Sequence, residues 1–476
     1  MKLYLFLISV SLTATLPIAA ADGVFRAGAA TSNITPDLGL EIIGGFVPIP
    51  SLQIHDELHA RCLVLDDGKT KLALVVCDLL GLSRSLSVEA RQRILETTGI
   101  PPENVVISAT HTHSAASALG ERWYNSDQTL NEYQKFVARR IADGVRRANN
   151  LLRPAQIGFG TAQAPEHLFN RRWLMKEGSA ALVTPFGKVD KVRMNPPGGS
   201  PDLIKPAGPI DPTVSFIAVR EPEGRMLAIY SAYSLHYVGG TGNAEISADY
   251  FALFCEALKK RLPRTEDDPP FVALMANGTS GDINNINFLT PRPGKPPYEQ
   301  MRFVADDVAK IVHEACSQIV WQDKPKLSAR YRELNVKWRT IEPELLQWAT
   351  ETEAKPENIA RPTDIAVIYA GRVLRLANAS PVTKLPVQVV RIGEIAIGTS
   401  PCETFAEIGL DFKKRSPIAH SFMIELAHGY YGYLPTPRHF DLGGYETWPG
   451  TNYLEPTASD TLMKNLLEMA AELATE

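Results

Sequence analysis

The first 150 residues restrict the fold most, because their apolar pattern switches period in a fixed order. Ala60 to Leu65 and Lys71 to Leu80 are β-rich runs joined by Asp66-Asp67-Gly68-Lys69-Thr70, which reads as a hairpin with an Asp-Gly turn. Ser85 to Thr98 then repeats apolar residues (Leu86, Val88, Ile94, Leu95) at helical spacing, and Pro101-Pro102 stops it. Asn104 to Ala109 is a short strand, and Asn131 to Leu152 is a strongly amphipathic helix. The order β-β-α-β-α predicts an α/β fold of mixed sheets layered with helices.

The remaining chain continues the alternation. Strands are predicted at Gln156 to Gln163, Val214 to Arg220, Arg225 to Ser234, Pro270 to Ala276, Lys326 to Lys337, and on both sides of a turn at Gly393. Helices are predicted at Tyr250 to Arg261, Tyr298 to Val320, Ile341 to Ile368 with a break at Pro356, Thr404 to Arg415 behind Pro401-Cys402-Glu403, and Asp460 to Ala474. Met175 to Pro212, rich in Pro, Gly and Lys, is expected to be a long loop. No internal sequence repeat or linker-like stretch interrupts residues 22–476, which favours one large domain.

Residues 1–21 have the pattern of an export leader rather than of fold. Lys2 precedes an apolar run from Leu3 to Leu16, Pro17 breaks it, and Ala19-Ala20-Ala21 offers small residues for cleavage. The expected product is secreted or periplasmic and lacks a transmembrane segment, so any membrane contact is peripheral. With 49 basic and 53 acidic residues, the net charge of −4 gives no footprint for nucleic acid. Five cysteines in 476 residues exclude a disulfide scaffold, and none has the C-x-x-C spacing of a cysteine zinc site. Cys62 and Cys77 lie on apolar strands and read as buried hydrophobes.

Thr110-His111-Thr112-His113-Ser114 is the densest polar constellation, and it follows a strand, where α/β folds gather ligands. Histidines at i and i+2 share a side on extended chain, which suits metal or acid–base work as well as a structural pair. His236 also follows an apolar strand, but a lone histidine is more often structural. Asp78 ends its strand as a helix cap or as an acceptor for a histidine. Asn277 to Asn285 reads either as a tight turn needing positive φ or as a loop whose amides hold an oxyanion. Glu403 reads as a first-turn carboxylate, and Tyr430, Tyr431, Tyr433 and Tyr445 as loop tyrosines. No local motif such as H-E-x-x-H is present, so any metal site must be assembled from distant segments.

Taken together, these segments resemble the neutral ceramidase family. The resemblance rests on Phe25 to Pro36, Asn104 to Ser114, Phe169-Asn170-Arg171 and Ile246-Ser247-Ala248-Asp249-Tyr250, in the family's order, and runs from about Phe25 to Glu446. It implies a zinc ion held by His111, His236, Glu403 of a Pro-x-Glu-x-Phe segment and Tyr433 of a Gly-Tyr-x-x-Thr segment. It further implies that His113 faces the attacking water, that Tyr445 helps hold the oxyanion, and that Asn170-Arg171 is the family's Asn-Arg pair. One position departs. The family's catalytic serine in Gly-x-x-Ser-Pro-Asn falls at Asn284 of Gly281-Asp282-Ile283-Asn284-Asn285. An amide cannot be a serine-type nucleophile but can donate to an oxyanion. By the same resemblance the chain is expected to span the family's catalytic domain without its C-terminal β-sandwich.

The expectation is therefore a zinc hydrolase with Zn2+ as its cofactor, cleaving an amide or ester by activated water. N-acyl lipids such as ceramide are the family's default substrate, and His113, Tyr445, Arg171 and Asn284 are the catalytic set. The alternatives are a non-catalytic binding protein on the same fold, or hydrolysis of a phosphate or sulfate ester with Asp78 or Asp282. The sequence does not indicate an oligomeric state.

Overall fold

The computed structural model describes residues 24–120, 129–263, 265 and 268–476. The predicted leader lies outside them. Numbering only the long elements, the first sheet holds β1 (Arg26–Asn33), β2 (His59–Asp66), β3 (Lys71–Cys77) and β4 (Val105–Ala109), with α1 (Arg84–Thr98) and α2 (Glu132–Asn150) against it. The second holds β5 (Gln156–Gln163), β6 (Thr213–Arg220), β7 (Met226–Tyr233) and β8 (Val272–Asn277), with α3 (Asp249–Arg261) and α4 (Glu299–Ala315). The third holds β9 (Leu327–Lys337), β10 (Val382–Ile392), β11 (Ile395–Thr399) and β12 (His420–Ile424). Its helices are α5 (Pro343–Ala354), α6 (Ile365–Ala377), α7 (Ala406–Arg415) and α8 (Ala458–Ala474).

Each sheet contains the same unit, an antiparallel hairpin followed by a helix and a strand parallel to the hairpin's second arm. The parallel pairs are β3·β4, β7·β8 and β11·β12. The unit recurs without a sequence repeat, because only its apolar pattern is shared.

Strand alternation decides how the sheets stack. In β3, Leu72, Leu74 and Val76 face a core shared by all three sheets, while Ala73, Val75 and Cys77 face α1 and α2. In β8, Val272, Leu274 and Ala276 enter the shared core, and Ala273 and Met275 face α3 and α4. In the third sheet, Ile395, Ile397, Phe422 and Ile424 enter it, and Ala396 and Met423 face α7 and α8. Cys62 and Cys77 are buried free thiols, as their apolar setting predicts.

Local signals set the helix ends. Ser83 Oγ accepts from the Leu86 amide to cap α1, and Gly99 closes it in the left-handed region. Asn131 and Gln134 form a reciprocal capping box on α2, an arrangement worth on the order of 1 kcal/mol.

Several expectations need correction. The supposed loop of residues 175–212 contains a small sheet in which Arg172–Met175 lies between Val192–Met194 and Leu203–Pro206. Pro356 opens a short helix at Pro356–Ile359 instead of only breaking one, and α6 runs on to Ala377. α7 starts at Ala406 because Glu403–Thr404 is a short strand paired with Tyr433–Leu434. β1 and β12 were not anticipated. β1 is rich in Ala and Gly, small because α2 crosses it: a Cβ at Gly28 would lie 2.2 Å from the Ala148 carbonyl oxygen. No helix among the described residues is long and apolar enough to cross a membrane.

Candidate metal centre and cleft

Strand ends bring the candidate residues together. Thr110 to Ser114 follow β4, His236 follows β7, Glu403 follows β11, and Tyr430 and Tyr433 follow β12. Ligands of α/β sheets collect at such carboxyl ends.

His111 adopts φ 74°, in the left-handed region. An L-residue there costs about 1–3 kcal/mol and persists only where its surroundings impose it. Its Nδ1 donates to the Leu80 carbonyl at 2.8 Å, leaving the Nε2 lone pair facing inward. His113 Nε2 lies 3.1 Å from His111 Nε2, and its ring stacks on Tyr237 with centroids 3.7 Å apart. The two histidines thus converge through a left-handed turn, not through the extended segment that i, i+2 spacing suggested.

His236 is oriented in the same way. Its Nδ1 faces the carbonyl and the hydroxyl of Ser280, each at 3.2 Å, and Ser280 Oγ donates to Glu425 Oε1 at 2.6 Å. Glu403 stands opposite Tyr433 in the parallel bridge, not in a helical first turn. Its Oε1 accepts from Tyr430 Oη at 2.6 Å. Its Oε2 lies 3.2 Å from His111 Nε2 and 3.7 Å from His236 Nε2. Both Glu403 Oε2 and His236 Nε2 are buried without a hydrogen-bond partner. Buried polar atoms are normally satisfied, so two orphans facing each other mark a place for a further group.

Electrostatics reinforce this. Burial, then His111 and Arg171, hold the His113 imidazole well below the usual histidine range, and burial and the same neighbours do so for His236. Burial would raise Glu403, but the neighbouring His111 and the phenols of Tyr430 and Tyr433 outweigh it and keep the carboxyl below its ordinary value. Burial raises the Tyr430, Tyr433 and Tyr445 phenols. A His236 imidazole held low, with His111 beside the Glu403 carboxylate, forms a donor set that could hold a metal ion. The Nε2 and Nδ1 geometry also admits His111, His113 and His236, whose ligand atoms lie within 4.8 Å of one another.

All of the cluster but His236 borders a cleft of about 1530 Å³. His111, His113, Glu403, Tyr433 and Tyr445 line it, facing a wall made by Gly44, Phe46 and α6. Tyr433 packs edge-on against Tyr445 at 5.7 Å, and Tyr445 against Phe46 at 5.9 Å. Tyr431 and Tyr433 are buried rather than exposed, because β12 and the bridge to Glu403 draw the loop inward.

Arg171 lies behind Tyr433, its guanidinium 5.3 Å from that ring. Glu446 accepts from Arg171 Nε at 2.9 Å and from Arg172 Nη1 at 2.6 Å. Asn284 sits in a short strand opposite Phe169 and donates its amide to Asn195 Oδ1 at 2.9 Å. Asp78 is paired with Arg61 and accepts from the His59 amide, so it is not an acceptor for an imidazole. Asp282 accepts from the Asn170 amide and the Ala406 N–H. Both carboxyl oxygens of Asp282, and Oδ2 of Asp78, are thus held in structural contacts.

The Asn277 to Asn285 turn corrects another expectation. Gly278 and Gly281 do not have positive φ. They are glycines because backbone passes close by: a Cβ at Gly281 would lie 2.5 Å from the Glu403 carbonyl oxygen. Sequence reasoning read Tyr430 only as a loop tyrosine and missed Tyr237, Gly44 and Glu425. Only Gly44-Gly45 carried a signal, that of a close approach, and a Cβ at Gly44 would meet the His113 backbone at 2.3 Å.

No family model matches the chain. The neutral ceramidase of Pseudomonas aeruginosa is 21% identical over 535 aligned residues, covering 98% of this chain and 75% of that protein. A solved structure described as ceramidase complexed with C2 superposes with a TM-score of 0.70 at 18% identity, covering 95% of this chain and 76% of that one. The crystal structure of the Pseudomonas aeruginosa neutral ceramidase gives 0.68 at 18% identity, covering 95% and 75%. The alignment to the Pseudomonas aeruginosa neutral ceramidase runs along almost the whole chain, and the chain shares the fold of these ceramidase structures.

Proposed function

We propose that this chain is an exported zinc-dependent hydrolase that cleaves the amide or ester of an N-acyl lipid or related amphiphile. The observation that carries the reading is the pair of partnerless atoms, His236 Nε2 and Glu403 Oε2, beside His111 Nε2 next to the cleft. His111, His236, Glu403 and Tyr433 would hold the ion, which supplies Lewis acidity to polarise a carbonyl and activate water.

The chain's own residues do the rest. His113, neutral because it is buried beside His111, takes a proton from the attacking water at Nε2. The water oxygen bonds to the acyl carbon, the C–N or C–O bond breaks, and the same proton passes to the leaving atom. Tyr445, kept protonated by burial, donates to the oxygen that gains charge. Arg171 acts through Tyr433, whose ring it covers. Asn284 is the third donor carried by the resemblance, and its amide must leave Asn195 to serve.

The test is metal content and turnover. Protein purified without chelators should hold about one zinc per chain and hydrolyse members of an N-acyl amide and ester panel, and His111→Ala should abolish both. Zinc well below one per chain sinks the reading. Equal rates for wild type and His111→Ala would leave a binding protein on the same fold.

A further inference from the structure

Among the described residues, Arg372 of the cleft has no anionic partner. Arg372 on α6 lines the same cavity as His111, Glu403 and Tyr445. Among the described residues its hydrogen bond is a long one, 3.5 Å from Nη1 to the Gly450 carbonyl. Its guanidinium lies 5.4 Å from the Phe46 ring and 5.2 Å from the Tyr369 ring. The stem is pinned as well. Gly450 has φ +89°, and a Cβ there would sit 2.5 Å from Arg372 Cβ. The guanidinium is thus held in place, half-buried, among aromatic faces.

The position relates directly to the chemistry. Phe46 touches both Arg372 and Tyr445, and Tyr445 packs on Tyr433 beside Glu403. The outer rim carries both signs, with Asp37, Glu41 and Glu353 against Arg139 and Arg375, so it selects no charge. Leu38, Leu40 and Phe46 on that rim are 53%, 40% and 42% exposed. An apolar rim above a pinned, unpaired guanidinium suits an amphiphile with a compact anion in its headgroup. Arginine's planar fork matches a carboxylate in two-point fashion.

We propose that the cleft takes a fatty-acylated amine whose headgroup carries a carboxylate, with the carboxylate on Arg372 and the acyl chain along Leu38, Leu40 and Phe46. The proposal rests on the hydrolase reading above and names its substrate class. The reaction adds water across the amide, releasing a fatty acid and an amino acid.

The test compares N-dodecanoylglycine with the neutral N-dodecanoylethanolamine on zinc-loaded wild type, Arg372→Gln and Arg372→Lys. A charged hydrogen bond of this kind corresponds to about tenfold or more in kcat/KM. Wild type should prefer the glycine conjugate by about that factor. Arg372→Gln should lose the preference through KM, with the ethanolamide rate unchanged, and Arg372→Lys should fall between. Equal or reversed preference in wild type overturns the proposal. So does an equal loss on both substrates in Arg372→Gln, the mark of a merely structural arginine. If neither amide is hydrolysed, the hydrolase reading fails and calorimetric binding of N-dodecanoylglycine decides the rest. About tenfold weaker binding by Arg372→Gln upholds the carboxylate site, and equal binding overturns it.

Discussion

Glu403 and Tyr433 face each other across a two-residue parallel bridge, which sets a carboxylate and a phenol side by side next to His111 and His236. The bridge predicts which residues hold the metal. Removing His111, His236 or Glu403 should strip most of the zinc measured by elemental analysis. His113→Ala should keep the zinc and lose turnover, because its role is proton transfer. Loss of zinc in His113→Ala would instead favour the three-histidine set that the geometry also admits.

Tyr430 gives a subtler prediction. Its hydroxyl donates to Glu403 Oε1, which turns Oε2 toward the histidines. Such supporting hydrogen bonds typically alter metal affinity by about 10–100-fold. Tyr430→Phe should weaken zinc binding within that range in competition with a chromophoric chelator, while the melting temperature of the metal-free protein changes little. Unchanged affinity would show that the bridge alone orients Glu403.

The buried charges behind the cleft should carry a large share of its rigidity. Glu446 is fully buried and bridges Arg171 and Arg172. Removing one partner of a buried ion pair leaves an uncompensated charge and costs about 3–5 kcal/mol. Glu446→Gln should lower unfolding free energy in urea by that order and also release Arg171 from behind Tyr433, lowering turnover. A loss below about 1 kcal/mol would mean that water readily takes the place of the carboxylate.

Much of this architecture was legible from sequence, for identifiable reasons. Strands such as Gln156 to Gln163 and helices such as α2 carry a period long enough to read, so their ends fall within a few residues of the observed ones. β1 could not be read, because its residues were chosen for the passage of α2 rather than for strand propensity. Site residues at strand ends were legible as positions, as with Thr110 to Ser114. Their partners were not. The bond from Tyr430 to Glu403 and the pairing of Asp78 with Arg61 span 27 and 17 residues and depend on how strands are ordered. His111's left-handed backbone was equally hidden, since it is imposed by tertiary contacts against the residue's own preference.

His428 makes stability itself pH-dependent, and the sign can be worked out. Its Nε2 meets Gln388 Oε1 at 2.7 Å and its Nδ1 meets Ser87 Oγ at 3.4 Å, deep in the protein. Burial, then the charge of Arg91, hold its imidazole well below the usual range. In the unfolded chain it titrates at about 6.5. Between that value and the depressed folded value the unfolded state binds more protons, so stability is complete above about pH 6.5 and falls as pH drops through that window. His113 and His236 act in the same direction in the metal-free protein, whereas Glu425, whose carboxyl burial raises, acts in the opposite one. The contribution of His428 is therefore isolated by difference. His428→Gln should be less stable than wild type at about pH 7, and the gap should narrow by up to about 1.4 kcal/mol per pH unit below about pH 6.5. Parallel stability curves for the two proteins in urea titrations from about pH 7 to about pH 5 would show that the imidazole takes up its proton equally in the folded and unfolded states, which overturns the prediction.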